Sequence, residues 1–244
     1  VYISSTAGWP GSNPDTFTVP NGTVVFARYY TGVWMGTATT TFNGHNAPST
    51  GSYSSGMGVT WISYDVTNLV IPGELNTASS SSSGGDGRQY GNTLVVVLQN
   101  ETKPLIEYWI TEGLDWLNYN PPSVDWSNTT IAGTVNQANV QNASLYSVHL
   151  TGYNYEDLNG YTLPSPSEHV SGGYFDALRW DNIQGLLVAE NQSVNVGRGD
   201  DSYTSPVFHA LTIEYQTYDL VPVNLTPTIV TPNTSNTMTT TIEN

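Results

Sequence analysis

The chain has 244 residues, with 5 Lys and Arg against 20 Asp and Glu, no Cys and a formal net charge of −15. Nucleic acids and anionic membrane surfaces recruit clustered cations, so the scattered Arg28, Arg88, Lys103, Arg179 and Arg198 argue against both as partners. The lack of Cys excludes disulfides and thiolate metal sites, while 38% hydrophobic residues, with aromatics mainly Tyr and Trp, suit a packed β interior.

Gly, Ser, Thr and Asn punctuate the chain every ten residues or so, an all-β rhythm. Val24–Tyr30 predicts an opening strand, with Arg28 on the face of Phe26 and Tyr30, where a guanidinium is expected to stack on a ring or meet a carboxylate. Asn43-Gly44 predicts a hairpin turn. Tyr64-Asp65-Val66-Thr67 predicts a strand ending on an Asp that accepts hydrogen bonds from backbone N–H groups just downstream. Residues 77–87, Ser-rich then Gly-rich, read as a surface loop, and Thr93–Gln99 as a strand covered on both faces. Residues 101–135, carrying Trp109, Trp116, Trp126 and Pro121-Pro122, read as a packed connector, within which Ile110–Leu117 is the best helical candidate.

The same order then recurs. Phe42-Asn43-Gly44 matches Leu158-Asn159-Gly160, Ser63-Tyr64-Asp65-Val66 matches Arg179-Trp180-Asp181-Asn182, and Leu94-Val95-Val96-Val97 matches Ala210-Leu211-Thr212-Ile213, all 116 residues apart. Ala143–Leu150 opens the second copy, and Ala210–Gln216 closes it with a one-sided alternation. Trp180-Asp181-Asn182 repeats the strand-ending Asp. The expected fold is all-β: two tandem jelly-roll-like antiparallel β-sandwich halves related by an internal repeat. The first spans residues 1–100, the connector 101–135, the second half 136–219, and a Thr/Pro-rich C-terminal arm 220–244. Pro222, Pro227 and Pro232 interrupt the arm, so strand pairing is expected between or beyond them. Val221, Val223, Leu225, Ile229, Val230, Met238 and Ile242 are its candidate assembly residues, expected to dock on a neighbouring subunit.

The two-fold pattern resembles a family of domains of unknown function found in exported surface proteins of methanogenic archaea. Ala27-Arg28-Tyr29-Tyr30, Asn43-Gly44, Tyr64 to Val70, Leu94 to Val97, Glu107-Tyr108-Trp109-Ile110-Thr111-Glu112-Gly113 and Leu211 to Tyr215 carry the likeness. It implies a cell-envelope location in a surface layer, sheath or filament, and it supplies no catalytic residues to carry over. Asp65-Val66-Thr67, followed by Leu69, Gly73 and Asn76, also resembles the turn-and-strand signature of sugar-binding jelly rolls attached to glycosidases.

Asn-x-Ser/Thr sequons at Asn21, Asn100, Asn128, Asn142, Asn191, Asn224 and Asn233 are candidate glycosylation sites of an exported chain. A start at Val1 agrees with a removed signal peptide. No apolar run approaches the roughly 18 residues that span a bilayer. There is no Gly-x-Ser-x-Gly elbow and no His-Glu-x-x-His, and His45, His149, His169 and His209 read as dispersed surface or singly bonded groups. Glu107, Glu112 and Asp115 are the carboxylates a glycosidase would draw on, and a structural role is the stronger reading. No cofactor is expected; a structural calcium ion, if any, would draw on Asp86 between Gly85 and Gly87, or on Asp200-Asp201 beside Gly199. Tyr29-Tyr30, Trp34, Trp61 and Tyr153-Asn154-Tyr155 are candidates for sugar stacking, core or interface. The function expected is a non-catalytic structural subunit of an extracellular, self-assembling homopolymer; the alternative is a carbohydrate-binding or adhesive surface module.

Overall fold

In the computed structural model, residues 1–8, 14–84 and 86–216 are described, together with the backbone of 221–225 and 240–243. The first half contributes β1 (Tyr2–Ala7), β2 (Asp15–Thr18), β3 (Thr23–Trp34), β4 (Thr37–Phe42), β5 (His45–Asn46), β6 (Ser49–Ser54), β7 (Val59–Asp65), β8 (Leu75–Ser83) and β9 (Gln89–Gln99). The second contributes β10 (Ile106–Glu112), β11 (Leu117–Asn118), β12 (Trp126–Thr134), β13 (Val140–Leu150), β14 (Tyr155–Leu158), β15 (Tyr161–Thr162), β16 (Glu168–Gly172), β17 (Phe175–Asp181), β18 (Glu190–Gly197) and β19 (Tyr203–Tyr215). Two one-turn 3₁₀ segments, Gln137–Asn139 and Gln184–Leu186, are the helical elements of the described residues.

The sheets run β1-β9-β3-β7-β6 and β2-β8-β4-β5 in the first half, and β10-β19-β13-β17-β16 and β12-β18-β14-β15 in the second. Position for position this is one topology used twice. The β3–β7 register from Arg28↔Asp65 to Trp34↔Val59 reappears as Ser144↔Asp181 to Leu150↔Phe175 in β13–β17, 116 residues later on both strands. Asn43 and Asn159, with positive φ of 49° and 57°, form the two Asn-Gly hairpin turns.

The four sheets stack with three cores between them. Tyr29, Phe42, Leu94 and Val96 fill the first sandwich, and Leu145, Leu158, Trp180, Val194, Leu211 and Ile213 fill the second. Between the sandwiches, Tyr30, Trp61, Tyr90 and Val95 of one half meet Tyr146, Leu150, Phe175 and Phe208 of the other. This seam explains the apolar run of β9. Leu94 and Val96 face their own sandwich while Val95 faces the seam, so Thr93 to Val97 is buried on both sides. Gly91 is required here, because a Cβ on it would lie 2.5 Å from the Phe175 ring.

Several expectations change. Ile110–Leu117 is not helical; its first residues end β10, because Ile106–Glu112 pairs with Glu214–Phe208. Residues 77–83 are strand, with β8 pairing along Thr37–Phe42, so the expected loop shrinks to the residues after Ser83. Inside the expected connector 101–135, β10 and β12 are edge strands of the second half's two sheets, as β1 and β2 are of the first. The closing strands match at 117, not 116. Tyr29 pairs with Leu94, and its counterpart Leu145 pairs with Leu211. A one-residue slip reverses every side chain, so this places Leu211 and Ile213 in the core position of Leu94 and Val96. β19 is one-sided only beyond Leu211; Thr204 to Leu211 is buried throughout. Asp65 caps the Thr67 N–H at 2.9 Å as expected, but Asp181 is held by Ser144 (2.6 Å), Ser167 (2.9 Å) and Arg179 (2.9 Å) instead of by downstream backbone.

Of the C-terminal residues, Val221, Val223 and Leu225 fall in β20 (Val221–Leu225), and Ile242 in β21 (Thr240–Glu243). The two strands pair with each other, antiparallel, across Pro222, where the register shifts between Pro222 and Asn224. Ile229, Val230 and Met238 lie outside the described residues.

Candidate binding site

An open cleft of about 260 Å³ lies where the halves meet, lined by Trp34, Met57, Arg88 and Tyr90 of the first and Trp116, Thr151, Tyr174 and Tyr203 of the second. Each side chain is presented by a strand end or turn at one end of the seam. Trp34 closes β3, its N–H bonded to the Arg88 carbonyl at 3.0 Å. Gly58, with φ of 101°, runs beneath its ring, where a Cβ would stand 3.1 Å away. Trp116 stacks on Tyr203 at 5.0 Å and 27°, and Tyr90 meets Tyr174 edge-on at 6.0 Å. The Arg88 guanidinium lies 6.0 Å from the centre of the Tyr174 ring and donates to Asp86 at 2.7 Å. Burial pushes the Tyr90 hydroxyl up to about 12 against the opposing pull of Arg88, so it stays a neutral donor at physiological pH.

Backbone strain gathers at this end. Among the described residues, positive φ outside Gly and Asn occurs at Met35 (49°), Thr151 (73°) and Tyr174 (71°). Met35 follows Trp34, and the other two line the cleft. A β-branched Thr in that region is an outlier of the kind that persists only where surrounding structure enforces it, and such outliers cluster at binding sites. Tyr174 remains 60% exposed despite its strained backbone.

The other aromatic candidates lie outside this cleft. Trp61 is fully buried and stacks on Tyr30 at 5.4 Å. Tyr29 is also 0% exposed and belongs to the first core. Tyr153 packs against His149 and Trp180, and Tyr155 against Trp126. Arg28 meets both expectations, lying 5.1 Å above the Phe26 ring and pairing across the seam with Glu112.

The carboxylates weighed for hydrolysis are engaged, in line with the structural role preferred for them. Glu112 accepts from Arg28, from Tyr30 at 2.7 Å and from Tyr53 at 3.0 Å. Asp115 accepts from Ser127. Glu107 accepts from Tyr215 at 2.5 Å and points to the opposite face of β10 from Glu112. Glu112 and Asp115 do line one cavity of about 110 Å³. Of the loop carboxylates weighed for calcium, Asp86 is paired with Arg88, and Asp201 contributes its carbonyl to Arg198. Gly85 lies outside the described residues. No three His, Asp or Glu side chains of the described residues converge as a metal site would require.

The histidines are a correction. His149 and His209 each make a single side-chain hydrogen bond, one of the two readings given for them, but they are neither dispersed nor at the surface; both are buried and converge on Glu156, itself wholly enclosed. Glu156 accepts from His149 Nε2 at 2.9 Å and from the Ser147 hydroxyl at 2.5 Å, and Ser147 contacts His209 Nδ1 at 3.0 Å. Burial alone would raise the Glu156 pKa, but the hydrogen bonds and charge of the two histidines outweigh it and bring it to about 2. Strands β13, β14 and β19 bring this quartet together, and no sequence spacing announces it. His169 Nε2 donates to Asp176 Oδ1 at 2.8 Å, and His45 is exposed.

Of the sequons, Asn21, Asn128 and Asn191 are exposed, and Asn100 and Asn142 partly so. Asn224 has only its backbone described, and Asn233 lies outside the described residues. No helix of the described residues is long and apolar enough to cross a membrane.

A family model described as a protein of unknown function (DUF3344) matches residues 1–214. No curated protein matches the chain. Among solved structures, a beta-porphyranase of glycoside hydrolase family 86 from the human gut bacterium Bacteroides plebeius is similar at 13% identity and TM-score 0.34, covering 84% of this chain and 33% of that one. Streptomyces avermitilis alpha-L-rhamnosidase complexed with L-rhamnose is similar at 12% identity and TM-score 0.25, covering 83% and 24%. The major capsid protein P2 of bacteriophage PM2 is similar at 8% identity and TM-score 0.26, covering 88% and 98%. The chain thus spans about a third and a quarter of the two glycosidase chains, and at these scores the likenesses carry no functional argument.

Proposed function

The chain belongs to the DUF3344 family, and from that premise we propose that it is an exported, non-catalytic surface module that binds a saccharide in the aromatic cleft between its halves. The observation that carries this is the convergence of Trp34, Trp116, Tyr90, Tyr174 and Tyr203 on one open cleft whose backbone is strained at Thr151 and Tyr174. Ring faces pack against the C–H face of a pyranose, and the Arg88–Asp86 pair supplies a donor and an acceptor side by side for hydroxyls. Binding is favoured over hydrolysis because Glu107, Glu112 and Asp115 are all committed to neighbours. Calorimetric titration with a panel of oligosaccharides is expected to give a ligand whose heat disappears in Trp34→Ala while the fold persists by circular dichroism. A panel without any binder, or a binder indifferent to Trp34, overturns the reading.

A second reading, a subunit that assembles with copies of itself, is favoured by one observation. Among the described residues, strands β20 and β21 pair with each other and with none of the four sheets. A two-stranded hairpin alone is marginal in water, so a neighbouring copy is a natural support. Truncation after Tyr218 is then expected to leave a folded monomer that no longer forms particles in electron micrographs; native particles from the truncated chain refute it.

A further inference from the structure

At the opposite flank of the seam from the sugar cleft, an apolar groove of about 750 Å³ runs between the start of β1 and the loop from β9 to β10. Val25, Leu105 and Tyr108 line it and stay 54%, 67% and 39% exposed, an apolar surface for which the described residues of neither half supply a partner. Its rim carries two of the sequons, Asn21 and Asn100. We propose that Asn100 bears an N-linked glycan and that the first sugars of that glycan lie in this groove, covering Leu105 and Tyr108. The proposal shares with the reading above only the export of the chain, and it concerns a different surface.

The local geometry of Asn100 presents its nitrogen. The Thr102 N–H (3.0 Å) and the Thr102 hydroxyl (2.8 Å) both donate to Asn100 Oδ1, which fixes the amide plane through its oxygen. Nδ2 makes one long bond, 3.3 Å, to the Asn21 carbonyl, and the secondary amide formed by glycosylation keeps one N–H for it. In the transfer, Nδ2 forms a bond to C1 of the sugar. The C1–O bond to the phosphate of a polyprenyl-linked glycosyl phosphate donor breaks, the phosphate leaves with the electron pair, and one Nδ2 proton goes to solvent. Two other sequons, Asn128 and Asn142, are poorer in the folded chain. Asn128 spends both hydrogens of Nδ2 on Ser193 (2.6 Å) and Asn195 (2.5 Å), so a glycan there breaks a cross-strand bond. Asn142 has its amide oxygen buried without a partner in β13. A pyranose offers an apolar C–H face to Tyr108 and Leu105 and its hydroxyls to water, the chemistry that an exposed apolar groove beside an acceptor asparagine requires.

Glycopeptide mass spectrometry of the chain isolated from its source cells tests the first part: Asn100 is expected to carry hexose-based mass and Asn128 and Asn142 none. An unmodified Asn100, or glycan on Asn128 or Asn142 in its place, overturns the assignment. Hydroxyl-radical footprinting tests the second part. Labelling of Leu105 and Tyr108 is expected to rise several-fold in Asn100→Gln, and equally in Thr102→Ala, which keeps the asparagine but destroys the sequon. Equal labelling with and without the glycan refutes the groove as its seat. So does a concentration-dependent dimer of the unmodified chain that protects the same residues.

Discussion

In the first half, Thr40 on β4 meets Ser80 on β8 through a hydroxyl contact of 2.8 Å; 116 residues later, at the same place on β14, stands Glu156, a buried carboxylate bound to Ser147 and His149. The partners differ in the same sense, since Thr31 and Val33 occupy on β3 the positions of Ser147 and His149 on β13. One backbone therefore tolerates either a neutral interior or an ionised one, provided the charge arrives with its hydrogen-bond donors. The latch beneath the Asn-Gly turns makes the same point with neutral groups. In the first half Asn43 Nδ2 donates to Asn76 Oδ1 (2.8 Å), which also receives the Ile71 N–H (2.8 Å). In the second, Asn159 Nδ2 donates to Gln192 Oε1 (2.8 Å), which receives the Val188 N–H (3.0 Å). The bridged segment is one residue shorter in the second half, and the side chain one methylene longer. Loop length and side-chain length have been exchanged at constant hydrogen bonding.

The largest expected effect breaks the ionised interior. Removing Glu156 takes the acceptor from the buried His149 imidazole and from the Ser147 hydroxyl on which His209 rests, so Glu156→Ala should cost ~3–5 kcal/mol, whereas Thr40→Ala should cost about 1 kcal/mol. For a chain of this size the first corresponds to a fall in melting temperature of roughly 10 °C. Equal losses in calorimetry would show that the carboxylate is no more engaged than the hydroxyl pair.

The pH dependence sharpens the same contrast. Glu156 titrates at about 2 in the folded chain. An unfolded Glu titrates at about 4.3. The depressed folded value means that this carboxylate stabilises the fold fully above the unfolded pKa, and that the contribution drains away as pH falls from about 4 towards 2. Stability measured by urea unfolding should therefore drop across that window in the native chain. Glu156→Gln should be less stable at neutral pH but show a flatter profile between these values. An identical slope in both chains would assign the acid loss to other carboxylates.

Exchanging the latches comes next. Gln192→Asn shortens the reach across the four-residue segment and strands the Val188 N–H, at ~1–3 kcal/mol. Lengthening the segment by one residue in the same variant should recover most of that loss in thermal unfolding. If the insertion fails to rescue, side-chain and loop length are not the compensating pair.

How far the sequence discloses these features depends on whether they are local. Asn43-Gly44 and Asn159-Gly160 were legible because the turn needs only two residues of positive φ. The strand Thr93–Gln99 was legible because two buried faces leave no polar alternation. The match of β9 to β19 slipped by one because both frames align small or apolar residues, and only pairing with Tyr29 or Leu145 separates them. Ser-rich β8 read as loop because hydroxyls on both of its faces pair across the strands, Ser83 with Thr37 outside and Ser80 with the buried Thr40 inside, contacts no spacing records. Trp34 was among the stacking candidates, but nothing set it apart from Trp61, one of which lines the cleft while the other is buried beneath Tyr30. Arg88, Trp116, Tyr174 and Tyr203 were missed as a site because the cleft is assembled from both halves at the seam.

The smallest expected effect probes that seam through a pair of tyrosines in equivalent positions. Tyr30 and Tyr146, 116 residues apart, both pack on Phe208, at 5.3 Å and 6.5 Å, and both send their hydroxyls into the opposite half. Tyr30 donates to the Glu112 carboxylate at 2.7 Å, and Tyr146 to the Ser5 hydroxyl at 2.8 Å. Replacing either by Phe keeps the ring in the shared core and deletes one bond. A bond to an ionised acceptor is worth more than one to a hydroxyl, but Glu112 retains Arg28 and Tyr53, while Ser5 retains only Thr93 at 2.7 Å. Tyr30→Phe is therefore expected to cost about 1.5 kcal/mol and Tyr146→Phe about 1 kcal/mol, additively in the double variant since the two acceptors belong to separate networks. Chemical denaturation of the three variants reads this directly. A double variant that loses much more than the sum would mean that the two bonds hold one cooperative seam, and that the halves are not joined by two independent staples.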